Sequence, residues 1–468
     1  MRSLPVFALT IGCASGVGNT DKQAFPASEG TDWFAPVAAP IAGEWPQYRL
    51  EVQHRGVAPE GTSIGRSPLH AWQSEAFAIG DYSASKTSPT LSDDLVFVGI
   101  DDGHLLALDR DTGEEVWRFR THRADTEDEN TENTDHQGIH GTAAVHGDRV
   151  WIGDYNGWLY ALDHDTGALI WEQDLGGSIG ASPVYYQGHI FMAVEFPDPD
   201  GRVYVVDAET GGLWYETPPL GNHPHSSVSI DPDRGTMFIG ANNGHFVAFD
   251  FVNREMVWEA WMDEKPDGTG LGDIKTTAAV DGDTVYVSSW DQKVHAFDID
   301  TGERLWSYET LQRVMSSPSV YEDTLFMGSH DGYLYALDID PSLSDDDRLR
   351  WRTSLGATST SSPDRGARGW TGVHRRSQRR HQRGRHGDGR DCVVGPHGGA
   401  GLGRADAHRQ QLVCLRLHGG HLALRRRVGH PPRSLPRVTN SMHWAFKSGR
   451  PTASHSSSAA AGSKRRRL

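Results

Sequence analysis

Residues 156–171 read NGWLYALDHDTGALIW. Asn-Gly suits a tight hairpin because both residues tolerate positive φ, and the residues that follow alternate as a half-buried strand does. Asp163-x-x-Thr166-Gly167 is a second turn, in which Asp and Thr can bond backbone amides while Gly takes the left-handed position. A further strand then closes on Trp171. The unit is strand, turn, strand, with no helical period.

Working outward, the same unit stands at 102–117 (DGHLLALDRDTGEEVW), 200–215 (DGRVYVVDAETGGLWY), 243–258 (NGHFVAFDFVNREMVW), 291–306 (DQKVHAFDIDTGERLW) and 331–351 (DGYLYALDIDPSLSDDDRLRW). Its anchors are Asp109, Asp163, Asp207, Asp250, Asp298 and Asp338; its closing tryptophans are Trp117, Trp171, Trp214, Trp258, Trp306 and Trp351, 43 to 54 residues apart. A strand such as Val285-Tyr286-Val287 or Leu325-Phe326-Met327 precedes each unit. That period suits a four-stranded propeller blade. The expected fold is all-β, a β-propeller with about six to seven blades formed. The anchors read as turn formers rather than ligands. Each closing Trp, partly apolar with one N–H that needs a partner, suits the wedge between neighbouring blades. A blade cannot bury both sheet faces alone, so the ring needs every blade to have two neighbours.

The formal net charge of −17 hides two unlike parts. Residues 364–468 carry 23 Lys+Arg against 4 Asp+Glu, leaving residues 1–363 with 22 against 58. An acidic excess of that size keeps a protein soluble in concentrated salt and repels nucleic acid and anionic lipid. It fits either a salt-adapted source or an ordinary acidic secreted protein, and no nucleic-acid partner is expected.

Met1 to Gly12 reads as a short export signal, with Arg2 followed by an apolar stretch from Leu4 to Ile11. Leu9-Thr10-Ile11-Gly12-Cys13 resembles a bacterial lipobox, although Thr10 stands where Leu is usual. Lipidation of Cys13, plain secretion and no export stay open as readings in that order. The expected organisation is a signal and lipobox at 1–13, a linker at 14–42, the propeller at 43–363 and an Arg/His/Gly-rich tail without structure at 364–468. The other cysteines, Cys392 and Cys414, lie in the tail, so 43–363 has none for a disulfide or thiolate metal site.

The repeat stops after Ser361-Ser362-Pro363, although Ser-Pro opens blades at Ser88-Pro89, Ser182-Pro183 and Ser317-Pro318. The next 105 residues hold no Glu, Ile or Tyr but 21 Arg and ten His. Moving the reading frame one base forward through the codons of Pro363–Gly366 permits Pro-Thr-Val, matching the blade opening. The codons of Arg385–Gly395 then permit Asp-x-x-Thr-Gly-Glu-x-Val-Trp, about 43 residues beyond Trp351. Those of Arg409–Leu415 permit the opening strand of a further blade. The tail therefore reads as a frameshift, with a basic nucleic-acid or membrane tail as the alternative.

The repeated AlDxxTGxxxW core, over about residues 45–356, resembles the PQQ-type repeats of quinoprotein-like propellers, which include the BamB-like exported lipoproteins. Such propellers commonly have eight blades, the last completed by an N-terminal segment. Gly43-Glu44-Trp45-Pro46-Gln47-Tyr48 resembles the segment that opens these propellers, which would place Trp45 at the start of the closing strand. The resemblance implies a periplasmic or outer-membrane-anchored monomer, a non-catalytic scaffold that binds another protein through its loop face and possesses no cofactor. It also raises a quinoprotein dehydrogenase holding PQQ and Ca²⁺ over the axis. That chemistry needs a vicinal cysteine pair, a Glu/Asn/Asp set around the metal and a stacking Trp, and the sequence has no Cys-Cys.

Two further groups stand out. Residues 121–140 insert Asp125, Glu127, Asp128, Glu129, Glu132, Asp135, His136 and His140 between blades. Oxygen-rich loops can hold Ca²⁺, but this one lacks the alternating ligand spacing and turn-forming Gly of known loops and reads first as a solvated surface loop. His223, His225 and Lys275 start blade strands where propeller loops converge, so they could line the axial mouth; structural placement is the first reading.

Overall fold

In the computed structural model, residues 31–36, 45–57, 69–74, 77–78, 87–92, 94–100, 102–122, 138–196, 200–355, 362, 409–416 and 422–428 are described. The repeats form six four-stranded antiparallel sheets, the blades of a propeller. Blade one is Thr90–Leu91, Leu95–Gly99, His104–Asp109 and Glu115–Arg120, and blade two is Ala144–His146, Arg149–Gly153, Trp158–Asp163 and Leu169–Asp174. Blades three to six open with Val184–Tyr186, Ser229–Asp231, Ala279–Asp281 and Ser319–Tyr321, and blade six ends at Leu349–Ser354. The two central strands of each blade are buried almost throughout, as strands covered on both faces must be.

The wedge between blades has one recurring geometry. Trp117 Nε1 donates to His164 O at 2.9 Å, Trp171 Nε1 to Ala208 O at 3.1 Å and Trp258 Nε1 to Ile299 O at 2.8 Å, in each case the carbonyl just after the next blade's anchor Asp. The indole lies on the turn Gly of that blade. At Gly167, φ is +68° and an added Cβ would sit 2.6 Å from the Trp117 ring, so both backbone and packing exclude a side chain. The anchors behave as turn formers: Asp109 Oδ1 accepts from Thr112 N and Oγ1, and Asp298 Oδ1 from Thr301 N and Oγ1. These bonds, the Thr hydroxyl's foremost, hold both carboxyls below the usual carboxylate range. Asp163 and Asp207 take the same bonds, Asp250 takes them from Asn253, and Asp338 is paired with Arg350 at 2.6 Å.

One closing residue is displaced from its expected position. Strand register pairs Ala107 with Trp117, Ala161 with Trp171 and Val205 with Tyr215, so Tyr215 rather than Trp214 holds the wedge position in blade three. The reason is spacing: Tyr215, like Trp117 and Trp171, lies eight residues after its anchor, whereas Trp214 lies seven and turns to the opposite face. There Trp214 packs on Trp33 and under the Arg254 guanidinium. Blade six has no turn Gly, and the buried Arg348 covers Trp306 instead, its Cζ 4.3 Å from the ring.

The six blades and Ser362 beyond them are stitched by a chain of hydroxyls. The amide of Ser88 donates to Thr142 Oγ1, and this continues from Thr142 to Ser182, Ser182 to Ser227, Ser227 to Thr277, Thr277 to Ser317 and Ser317 to Ser362, each at 2.9–3.0 Å. Ser362 thus occupies the opening position of a seventh blade.

One expectation about the N-terminal segment is corrected. Trp45 does not begin a closing strand: it bridges Leu91 on the first strand of blade one. Leu69–Gln73 is the strand that completes a seventh sheet, pairing with Arg409–Arg416, and its Trp72 takes the wedge on blade one by donating from Nε1 to Arg110 O at 2.7 Å. Within 364–468, Arg409–Arg416 and Leu422–Val428 are described as strands of that sheet. Within 14–42, Trp33 is buried against Phe251 and Trp214. Cys13, Cys392 and the rest of the tail lie outside the described residues, as does most of the acidic 121–140 insertion.

Candidate axial mouth

The first strands line the central channel, and one edge of each has no strand beside it. Residues 45–55 cross the channel and serve those edges in all six blades. Leu91 N bonds Trp45 O, Val145 N bonds Pro46 O, Ile230 N bonds Val52 O, Val280 N bonds Gln53 O and Val320 N bonds Arg55 O, at 2.7–3.2 Å. Tyr185 N bonds the Gln47 side chain at 3.2 Å. The six amides occupy the same position in six equivalent strands, so one irregular segment satisfies a repeated need.

Two buried side chains brace this plug. Arg49 donates to His54 O, Ser317 O and Pro318 O at 2.7–3.1 Å. His54 lies between Tyr48 O and Val228 O, each at 2.8 Å from a ring nitrogen. Burial, with the Arg49 charge beside it, lowers the His54 pKa to about 4.

Antiparallel blades place the second-to-third-strand loops and the interblade loops together at the other end of the axis, and there the mouth is formed. The His140 ring lies tilted against Tyr155, with centroids 4.4 Å apart, and Tyr155 donates to Glu195 Oε2 at 3.1 Å. His225 Nδ1 lies 2.8 Å from Glu195 Oε1, and His223 Nδ1 lies 3.9 Å from Oε2. Glu195 is 4 % exposed. Across the mouth, Lys275 Nζ and Arg313 Cζ lie 4.4 and 4.3 Å from the Trp290 ring centroid, and Arg313 donates to His330 Nδ1 at 3.0 Å. Burial lowers the Lys275 pKa, and burial with the Arg313 charge lowers that of His330 to about 4. Several buried atoms here make no hydrogen bond: Glu195 Oε1, His223 Nε2, Asn242 Oδ1, Trp290 Nε1 and His330 Nε2.

His223, His225 and Lys275 therefore line the mouth, as their positions in the repeat suggested. Sequence reading passed over Glu195, Tyr155, Trp290, Arg313 and His330. For three of them the signal was positional: Tyr155, Trp290 and His330, like Asn242, stand two residues after the last residue of their blade's second strand, a loop position that varies between blades.

Quinoprotein chemistry would set PQQ and Ca²⁺ over this axis, and the described residues do not fit that pair. Ca²⁺ takes six to eight oxygen ligands, whereas the donors around Glu195 are chiefly imidazoles. The large aromatic surface, Trp290, is already covered by two cations.

A family profile described as "Outer membrane protein assembly factor BamB" matches residues 70–131 and 101–342. The chain belongs to this family of PQQ-type propellers. The Yersinia pestis "Outer membrane protein assembly factor BamB" is 24 % identical over 252 residues, which is 52 % of the chain and 61 % of that protein. The chain thus spans about three fifths of the relative's length. "Quinohemoprotein alcohol dehydrogenase ADH IIB" of Pseudomonas putida is 25 % identical over 261 residues, 48 % of the chain and 33 % of that protein. Among solved structures, "The crystal structure of BamB from Moraxella catarrhalis" aligns at a TM-score of 0.48 with 16 % identity, covering 78 % of the chain and 88 % of that structure.

Proposed function

We propose that this BamB-family propeller is an exported, non-catalytic scaffold that binds another protein through the loop face around the axial mouth, in support of outer-membrane protein assembly. The observation that carries the reading is the family match across the blades, from residue 70 to 342. A rigid disc presenting variable loops gives it a physical basis. Cys13 would carry the lipid that holds the scaffold to a membrane from the periplasmic side, and among the described residues no helix is long and apolar enough to cross one. The imidazole-rich mouth and the cation-covered Trp290 favour this reading over a PQQ enzyme, so no cofactor is assigned.

The test is made in the cell of origin. In vivo cross-linking from photoreactive residues at Leu311 and His223, with palmitate labelling of Cys13, should trap a protein of the barrel-assembly apparatus and label the wild type but not Cys13→Ala. Deleting the gene should lower outer-membrane barrel levels. Cross-linking to no envelope protein, with unchanged barrel levels, would overturn the proposal. Dye reduction by the purified protein after adding PQQ and Ca²⁺ would transfer support to the dehydrogenase.

A further inference from the structure

We propose that Glu195, His223 and His225 bind one divalent transition-metal ion of the zinc class at the axial mouth, leaving one coordination position open to the channel. This goes beyond the scaffold reading and needs no partner protein.

Donor chemistry comes first. Two imidazoles and one carboxylate suit zinc-like ions, and three protein ligands with a free position form an open site. Geometry agrees. One ligand atom from each residue lies within 4.8 Å of the others. Ligands about 2.0 Å from a tetrahedral ion stand about 3.3 Å apart; His225 Nδ1 lies 2.8 Å from Oε1, and His223 Nδ1 lies 3.9 Å from the carboxylate's other oxygen, Oε2.

The carboxylate is also prepared for such a role. Glu195 Oε1 is buried and makes no hydrogen bond, although His225 Nδ1 is 2.8 Å away; the two atoms approach without the angles a hydrogen bond requires. Tyr155 holds the other oxygen, Oε2, and leaves Oε1 free. Gly180 makes the space: a Cβ there would stand 2.5 Å from Oε1. His223 and His225 are 36 % and 29 % exposed at the side chain, so an ion can enter from the mouth. Lys275 opposes a cation through its field, yet it is stacked on Trp290 rather than paired with Glu195.

A second cluster shows what an occupied set of donors looks like. Asp263, Asp291 and His295 also lie close together. There, however, Asp263 already pairs with Lys293 at 2.7 Å and Arg304 at 2.6 Å, and Asp291 Oδ2 bonds His295 at 2.7 Å. Protein cations fill that site; at Glu195 none does so with hydrogen-bond geometry.

The experiment strips the full-length purified protein with chelator and titrates it with Co²⁺, read by visible absorption, and with Zn²⁺, read by calorimetry. Because the chain has 24 histidines, the comparison is with the His223→Gln/His225→Gln variant. Wild type should bind one more equivalent than the variant, and at least tenfold more tightly, with millimolar Ca²⁺ failing to displace it. Gly180→Ala, whose methyl displaces the carboxylate, should weaken that same equivalent at least tenfold, and circular dichroism establishes that each variant is folded. Equal stoichiometry and affinity in wild type and in a folded variant would overturn the site, leaving His225 and Glu195 as an ion pair. Displacement by Ca²⁺ would overturn it too. Neither result bears on cross-linking to an envelope protein.

Discussion

The two ends of the propeller axis are built on opposite rules. At the plugged end, residues 45–55 reach every blade, and Arg49 and His54 have carbonyls on their polar atoms. The Asp-x-x-Thr-Gly turns and the closing indoles lie toward this same end. At the mouth, Glu195 Oε1, His223 Nε2, Asn242 Oδ1, Trp290 Nε1 and His330 Nε2 are buried without a hydrogen bond. Buried polar atoms left alone cost about 1–3 kcal/mol each. A plug whose Arg49 and His54 are satisfied, set against a mouth whose polar atoms are left short, concentrates stability at the first and capacity for ligands at the second.

The comparison is broken most easily at a wedge. Trp117→Ala should remove about 3–5 kcal/mol from the unfolding free energy, measured by chemical denaturation, because it opens the seam between blades one and two and frees His164 O. Arg49→Ala should come next, at about 3 kcal/mol, since several buried carbonyls then lose their donor. A loss under about 1 kcal/mol for Arg49→Ala would mean that the plug is an ornament rather than a brace.

Acid should also act on the plugged end. His54 is neutral in the fold, with a pKa of about 4 against 6.5 in the unfolded chain. The unfolded chain therefore binds the proton more readily as pH falls, and stability present above pH 6.5 is lost progressively toward pH 4. His54→Gln should flatten that part of the stability–pH profile. His330, held low by burial and Arg313, adds a drop over the same range, so the variant should retain part of the slope.

The smallest effect belongs to the mouth. His223→Gln should change metal-free stability by under about 0.5 kcal/mol, because the side chain is partly exposed and its Nε2 has no bond to lose. A loss as large as that of Arg49→Ala would make the mouth another part of the brace.

Repetition explains which features were legible in the sequence. The Asp-x-x-Thr-Gly turns, present in four units, and the closing tryptophans were readable because the repeat imposes one geometry, and the hydroxyl of Ser362 extends that geometry past the last complete blade. The plug was not readable, since Trp45, Pro46, Val52, Gln53 and Arg55 act through backbone carbonyls and carry no period. Trp72 was missed because its strand completes a sheet whose other members lie far along the chain. Trp214 was misassigned because an aromatic pair hid a one-residue offset that only strand register resolves. Glu195 was hidden for the reason that makes it interesting: it sits where neighbouring blades carry unlike residues, so it belongs to no pattern.

Resequencing the gene across the Pro363 codon would sharpen the account of the seventh sector. The frameshift reading expects a corrected frame with an Asp-x-x-Thr-Gly turn and a Trp about 43 residues beyond Trp351, and an unchanged Arg-rich sequence would refute it.

Amide hydrogen exchange at Leu91, Val145, Tyr185, Ile230, Val280 and Val320 tests the plugged axis most directly. These six amides should exchange only on global unfolding in the full chain and become unprotected when residues 45–55 are deleted. If they exchange at loop rates while the neighbouring strand amides stay protected, the channel is open at both ends and the contrast between them fails.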